Sequence, residues 1–312
     1  MLRRAVDHGV ATMRSHLALT TLAWTISAAI AAVAALPIWM WLSATATRPD
    51  ADVLLERLDP AAIVDLTIAN GPAAVMGTII GTVFSLLVAA IAGVLLNAGL
   101  VAVVVTPDGR PMLARFVAGV SAYFLRFLRL AIIAGITGLV LFLVVLLAAA
   151  LLGRVFVYGA TVTPAAIWLT VIAVAFAVTA AIVFTAMDYA RIHLALTDRR
   201  HAVNAWFGSL RFVLRHPLRA MTLAATFASI ASLALIAYSA FAAPATSMLG
   251  IVVLFVARQV VIFTRVSARI GLLAAEHELW RTLMPAPPPP PAPVSLPAPA
   301  PRSPMDVIDA PI

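Results

Sequence analysis

Residues 130–152 read LAIIAGITGLVLFLVVLLAAALL, an uninterrupted apolar stretch without a charged side chain. A transmembrane α-helix needs about 20 mostly apolar residues, so this stretch predicts a membrane span. Five further stretches meet the same requirement, at about 17–42, 77–105, 165–187, 220–241 and 247–264. The sequence therefore predicts an all-α polytopic membrane protein with about six transmembrane helices.

The composition agrees with this class. Of the 312 residues, 63% are hydrophobic and 11% are charged, whereas a soluble domain carries about 25% charged residues. The absence of cysteine excludes disulfides, thiolate metal sites and cysteine nucleophiles. A net charge of +8 could indicate nucleic-acid binding. The bias of membrane proteins toward positive inner loops explains it better, so we predict no nucleic-acid partner.

The positions of the arginines predict the orientation. With the N-terminus inside, sixteen of the 21 basic residues fall on the cytoplasmic side, and only Arg48, Arg57 and Arg154 fall outside. Loops rich in Lys and Arg stay in the cytoplasm. We therefore expect a multi-pass protein of the cell (inner) membrane with both termini in the cytoplasm. Residues 1–284 form the membrane domain, and anionic lipid headgroups face its basic inner surface.

The two ends of the membrane domain leave alternatives open. The first stretch follows Arg3 and Arg4 and could be a signal peptide, but its apolar run is too long, which favours a retained helix. The last stretch is interrupted by Arg258. If it lies in the interface, the chain has five spans and its C-terminus moves outside.

Two segments outside the spans have a clear character. The outer loop at 45–73 is acidic, and Asp59–Pro60 fits the start of a short helix in it. Residues 285–312 form a proline-rich tail that we predict to be disordered and of polyproline II type. The tail could serve as a spacer or as a ligand for a protein partner.

A weak repeat precedes each helix that leaves the cytoplasm. Basic, partly aromatic segments begin near Asp7, Phe116 and Asn204, and each contains a glycine, at Gly9, Gly119 and Gly208. Such segments form interfacial amphipathic helices. The chain then consists of three hairpins, each introduced by one interfacial helix. Common ancestry and shared topology both explain this spacing.

The segments AYFLRFLRLAII, from Ala122, and DYARIHLALTDRRHAVNAWFGSLRFVLRHPLRA, from Asp188, carry a resemblance. They look like segments of uncharacterised six-helix bacterial membrane proteins. A similar pattern occurs in the membrane domain attached to some glycerophosphodiester phosphodiesterases. The resemblance covers roughly residues 5–283 and implies fold and location. It implies no activity, because the catalytic phosphodiesterase domain has no counterpart here.

The second span carries small or polar residues at every fourth position, among them Gly77, Gly81, Gly93 and finally Asn97. Small residues on one face let a neighbouring helix approach closely. Packing within the molecule is the favoured interpretation; a homodimer face and the wall of a substrate path are the alternatives. Asn97 requires a partner on another helix.

Arg258 lies near the middle of the last span and shares one helix face with Arg265 and Arg269. A charge at that depth must face protein or water. It either lines a basic path for an anionic lipid headgroup or solute, or extends its side chain to the inner interface. Asp188 ends the fourth span and is expected to pair with Arg265 or Arg191. An ion-coupling role for Asp188 is the alternative.

No catalytic, cofactor or metal motif is found, and the histidines are predicted to be surface groups. We therefore expect no cofactor and no enzyme activity. The favoured function is that of a non-catalytic membrane-organising or accessory component. A transporter or channel for a lipid or small anionic solute is the alternative.

Overall fold

The computed structural model describes residues 1–45, 72–105, 109–156, 162–197, 201–241 and 248–284. These residues form eight α-helices and, within those ranges, no strand. In chain order the helices are α1 Leu2–Ser15, α2 Leu17–Thr45, α3 Pro72–Val105, α4 Met112–Phe156, α5 Val162–Thr197, α6 Ala202–Arg215, α7 Pro217–Phe241 and α8 Met248–Leu283. The acidic loop and the proline-rich tail lie outside the described residues.

Five of these helices are long and apolar enough to cross a membrane: α2, α3, α4, α5 and α7. The protein is thus an all-α, membrane-embedded protein, as the apolar stretches predict. The C-terminal helix α8 is not among the five, and it carries Arg258, Arg265 and Arg269. It is nevertheless a continuous helix of 36 residues that extends well past the predicted stretch at 247–264.

Two of the three predicted interfacial segments are separate amphipathic helices. Helices α1 and α6 each have 14 residues, and a single histidine, His16 or His216, separates each of them from the following long helix. In both breaks the histidine N–H donates to the carbonyl four residues earlier, over 3.1 Å to Thr12 and 3.0 Å to Phe212. When the two segments are aligned on these histidines, Gly9 corresponds to Ser209. The predicted repeat, which aligned Gly9 with Gly208, is therefore shifted by one residue.

The middle interfacial segment is not a separate helix. It continues without a break into the third predicted span and forms the 45-residue helix α4. At 1.5 Å per residue α4 is about 68 Å long, whereas a bilayer with its headgroups is about 40–45 Å thick. One end of α4 must therefore extend beyond the apolar layer. The N-terminal end carries Arg115, Arg126 and Arg129, whereas the part around Phe142 is apolar. The N-terminal end is therefore the one that suits contact with water.

The helices pack in a regular pattern. Helix α2 packs along α3, α4 along α5, and α7 along α8. The second helices of these pairs are α3, α5 and α8, and each of these three contacts the other two. The short helices complete the pattern, since α1 packs on α8 and α6 packs on α5, while α4 is also in extensive contact with α3. The fold therefore places α3, α5 and α8 at the centre.

Burial is concentrated at one end of this arrangement, which we call the base. The buried parts of the central helices are 92–105 of α3, 185–195 of α5 and 267–280 of α8. Their distal parts are largely exposed, as shown by Leu86 at 66% and Phe184 at 67%. In 166–184 of α5 no residue is buried. The three pairs are thus joined at the base, and their distal parts present apolar surface to their surroundings.

Candidate functional site

Three central helices each bring a polar side chain to the base. Asp188 of α5 accepts two hydrogen bonds from the guanidinium of Arg269 on α8. The Arg269 Nη2 also donates to Oδ1 of Asn97 on α3, over 3.2 Å. Arg191, one turn along α5, donates to the same carboxylate over 2.8 Å. We call Asn97, Asp188, Arg191 and Arg269 the ionic cluster.

The ionic cluster holds its members firmly because it is largely shielded from water. Asp188 and Arg191 are buried, while the Arg269 side chain is 31% exposed. Asn97 is held from its other end, since its Nδ2 donates to the Gly93 carbonyl over 2.7 Å. A two-point contact between guanidinium and carboxylate fixes the relative position of two helices in both distance and orientation. The cluster therefore connects α3, α5 and α8 at one point.

This geometry refines the pairing expected for Asp188. The predicted contact with Arg191 is present, but the partner on the last helix is Arg269 and not Arg265. Arg265 is exposed, one turn farther from the base. Asn97 has the cross-helix partner that its depth required, and that partner is again Arg269.

Glu276 is a further buried carboxyl group at the base, and the sequence pattern predicts no role for it. It is 1% exposed, and neither of its carboxylate oxygens has a hydrogen-bond partner among the described residues. The Tyr189 hydroxyl and the Arg191 Nε are likewise buried without such a partner. Burial raises the pKa of Glu276 well above its ordinary value, and the nearby charge of Asp188 raises it further. Burial therefore stabilises the neutral carboxyl group of Glu276 relative to its carboxylate.

The raised pKa of Glu276 predicts a pH-dependent stability. Because the folded-state pKa lies above the unfolded value of 4.5, the stabilising effect is complete below that value and is lost as pH rises through the folded pKa. Glu276→Gln, which mimics the neutral acid, should reduce the loss of melting temperature between about pH 5 and about pH 8. The measurement is thermal unfolding of the detergent-solubilised protein.

The control for this prediction is Glu278→Gln, two residues farther along α8, where the acid pairs with Arg4 of α1 over 3.1 Å. Glu278→Gln should retain nearly the whole loss of melting temperature that the wild type shows between about pH 5 and about pH 8. Burial lowers the pKa of His277, so protonation of His277 removes stability as pH falls. That effect has the opposite sign and remains in Glu276→Gln. Glu278 raises the pKa of His277, so Glu278→Gln adds to the loss of stability on the acid side and does not imitate Glu276→Gln. Equal slopes for wild type and Glu276→Gln would contradict the prediction.

Aromatic rings surround the base on the side of α6. Tyr189 packs on Phe212 with ring centroids 4.8 Å apart, and Phe212 packs on Trp280 at the same separation. His193 packs on Trp280 at 5.3 Å. The His193 ring is half-buried and its Nδ1 is enclosed, so this histidine is not the freely exposed surface group that was predicted. This ring cluster attaches α6 and α8 to α5.

The glycines of the repeat lie where helices cross. A Cβ on Gly9 of α1 would lie 2.6 Å from the carbonyl oxygen of Gly271 and 2.5 Å from the Phe227 ring. A Cβ on Gly119 of α4 would overlap Ala102 of α3. At Gly208 the nearest atoms belong to His193 of α5, at 3.8 Å. The interfacial segments thus use glycine for close approach at two of the three crossings.

The glycine stripe of the second span has two different environments. A Cβ on Gly81 would lie 2.9 Å from Pro37 of α2, and Ser85 donates to the Ala34 carbonyl of α2 over 2.6 Å. This part packs within the molecule. Gly77 and Gly93, in contrast, have open space where a Cβ would be. Gly93 lies one turn from Asn97, on the same face of α3.

Arg258 is exposed on α8 and has no ion pair or hydrogen bond among the described residues. It lies 11 residues before Arg269, which is three turns and about 20° of rotation, so the two share one face. Arg265 lies on this face as well. The face that meets the ionic cluster at the base thus continues outward with two unpaired arginines.

An apolar pocket lies between α4 and α5, with a volume of about 350 Å³. Gly135 and Gly138 of α4 and Phe176 and Thr179 of α5 are among the lining residues. Its inner end is at Met187, next to Asp188. Within the described ranges, no group of three or more His, Cys, Asp or Glu side chains could hold a metal ion.

Searches with protein-family models, curated proteins and solved structures find no match to this chain. The resemblance to the membrane domain of some glycerophosphodiester phosphodiesterases therefore stays a prediction. The class that the fold defines is that of a membrane-embedded helical protein with an ionic cluster at one end.

Proposed function

We propose that the chain crosses the cell (inner) membrane six times, as three hairpins, with the base and both termini on the cytoplasmic side. The pairing of α2 with α3, α4 with α5 and α7 with α8 supports the hairpins. Helix α8 is the sixth span, because it runs beside α7. Most arginines then lie at the cytoplasmic side, as positive inner loops require.

The topology can be tested with single cysteines, because the natural chain has none. Thr47→Cys and Ser303→Cys place one thiol in the outer loop and one in the tail. A membrane-impermeant maleimide applied to intact cells or spheroplasts should label Thr47→Cys and leave Ser303→Cys unlabelled until the membrane is opened. Labelling of Ser303→Cys in closed membranes would indicate five spans and overturn this topology.

We infer that the protein is a non-catalytic component that organises other membrane molecules. The observation that supports this function is the uneven packing of the three pairs. The ionic cluster and the buried residues join them at the base, while the distal parts of α3, α5 and α8 expose apolar side chains such as Leu86, Phe184 and Phe255. We call the region beyond the base, between the distal parts of α3, α5 and α8, the inter-pair space, and we propose that a membrane molecule enters it.

A photo-crosslinking residue in place of Leu86 tests this function. Leu86 is 11 residues from Asn97 and so lies on the same face of α3, with 66% of its surface exposed. The matched control is Phe84, which is 49% exposed but points toward a different side of α3. We expect Leu86 to capture a defined lipid or protein and Phe84 to capture bulk lipid. Identical adducts at both positions would contradict the proposal.

A second candidate function is transport of a lipid or small anionic solute. The observation that favours it is the unpaired Arg258 on the face that leads to the base. Transport would require the base to open, since Asp188 and Arg191 are buried there. Reconstituted protein that moves an anion or a labelled lipid across vesicles, with loss of this activity in Arg258→Gln, would favour transport over organisation.

A further inference from the structure

Helix α8 carries one charged stripe along its whole length. Arg258, Arg265, Arg269 and Glu276 follow one another at intervals of seven, four and seven residues. With 100° of rotation per residue, these intervals keep all four within about 40° of one another. The contacts of Arg269 with Asp188 and Asn97 show that this face points toward α5 and α3. The stripe therefore faces the inter-pair space.

The two halves of the stripe differ in charge compensation. At the base, Arg269 is matched by Asp188. Arg258 and Arg265 are exposed and have no acidic partner in the described part of the chain. Intramembrane arginines face water or protein and pair with an anion or a polar group. The distal stripe thus supplies two positive charges that an occupant of the inter-pair space must match.

The surroundings of the two arginines are apolar. Phe255 of α8 and Leu86 of α3 are each more than 60% exposed. Gly93, one turn from Asn97, leaves open space beside its Cα. A small hydrated anion would match the arginines and leave these side chains in contact with water. An occupant with both an anionic group and hydrocarbon chains matches both features.

We propose that an anionic phospholipid occupies the inter-pair space, with its phosphate at Arg258 and Arg265. The two residues are about 10 Å apart along the helix axis, so a phosphate between them can accept hydrogen bonds from both long side chains. Guanidinium groups donate two parallel hydrogen bonds to a phosphate, which ammonium groups cannot do. The acyl chains then lie along the exposed distal parts of α3 and α8. This inference rests on the proposed function, that the inter-pair space receives a membrane molecule.

The test is native mass spectrometry of the intact protein in a nonionic detergent, titrated with phosphatidylglycerol. Arg258→Gln and Arg265→Gln should each reduce the retained phosphatidylglycerol at least about tenfold. Arg258→Lys should give an intermediate value, since it keeps the charge and loses the two-point geometry. The matched control is Arg211→Gln on the exposed face of α6, which should bind as the wild type does.

Two comparisons identify the ligand. Phosphatidylcholine should bind at least about tenfold more weakly than phosphatidylglycerol, and inorganic phosphate should not displace it. Equal retention by wild type and Arg258→Gln, or equal binding of the zwitterionic lipid, would overturn the inference. Displacement by phosphate would point to an anion site without a lipid. Thermal unfolding of each variant confirms that it is folded.

The photo-crosslinking experiment at Leu86 and Phe84 separates this inference from the function on which it rests. If the probe at Leu86 captures a protein and no lipid, the inter-pair space has an occupant and only the lipid assignment fails. A cross-link from Leu86 to the acidic segment 46–71 of the same chain would show that its carboxylates match the arginines, and this too would overturn the lipid. If Leu86 and Phe84 give the same adducts, both proposals fail.

Discussion

Asp188→Asn should lower the stability of the protein by about 3–5 kcal/mol, the range found when one partner of a buried ion pair is removed. The carboxylate accepts hydrogen bonds from Arg191 and from Arg269. Asparagine keeps the size but loses the charge, so two guanidinium groups remain at the base without compensation. The measurement is the yield and melting temperature of the monodisperse protein in detergent. Asp7→Asn is the control, because Asp7 is exposed and its ion pair with Arg3 is long, at 3.9 Å.

A double-mutant cycle identifies the partner on α8. Asp188→Asn combined with Arg269→Gln should be less destabilising than the sum of the single changes, by about 0.5–3 kcal/mol. Asp188→Asn combined with Arg265→Gln should be additive within about 0.5 kcal/mol. A coupling energy with Arg265 and none with Arg269 would show that the ionic cluster is assembled differently.

Gly9→Leu should separate α1 from α8 and markedly destabilise the protein. The new Cβ would lie 2.6 Å from the backbone oxygen of Gly271 and 3.0 Å from the Cβ of Ala275. A contact with backbone cannot be relieved by a rotamer change, so the helices must move apart. Overpacking of this kind costs about 1–3 kcal/mol or more. Thermal unfolding and protease sensitivity of the N-terminal segment are the measurements.

The matched change is Gly93→Leu, which places the same side chain on a helix where nothing lies within 4 Å of the Cβ. It should leave the melting temperature close to that of the wild type. Gly81→Leu should be intermediate, since the atom it meets belongs to the Pro37 ring of α2. If Gly93→Leu is as harmful as Gly9→Leu, the face of α3 that carries Gly93 is closely packed and has no open space.

The ionic cluster was predictable only in part. Asn97 and Asp188 stand out because a polar or acidic residue in an apolar stretch needs a partner. The selection of Arg269 over Arg265 depends on how far α8 has rotated and shifted where it meets α5, and a one-turn difference has no signal in the sequence. Glu276 was missed because it lies in a polar segment, where burial is not expected. Its burial accompanies the packing of α1 along α8, which only the tertiary structure shows.

The repeat shows the same limit. Basic-aromatic segments around Gly9, Gly119 and Gly208 were visible in the sequence, but their helical form was not. A single-residue break after Ser15 and Arg215 separates α1 and α6 from the spans, whereas α4 continues unbroken. Each break leaves the backbone hydrogen bonds of the histidine intact. The break at His216 directly precedes Pro217, the first residue of α7, and proline disfavours helical angles in the residue before it. The break at His16 has no such signal, so its position depends on backbone angles that packing decides.

The stretch at 130–152 by itself determined the class of the protein, because a long apolar run without charge is stable as a helix in lipid. Hydropathy is a local property, so each apolar stretch could be recognised from its own residues. The arrangement of the helices could not, since apolar helices in lipid have no hydrophobic preference for one neighbour over another. Contacts between distant residues decided it: glycines at the crossings, and one carboxylate that meets an arginine 81 residues away.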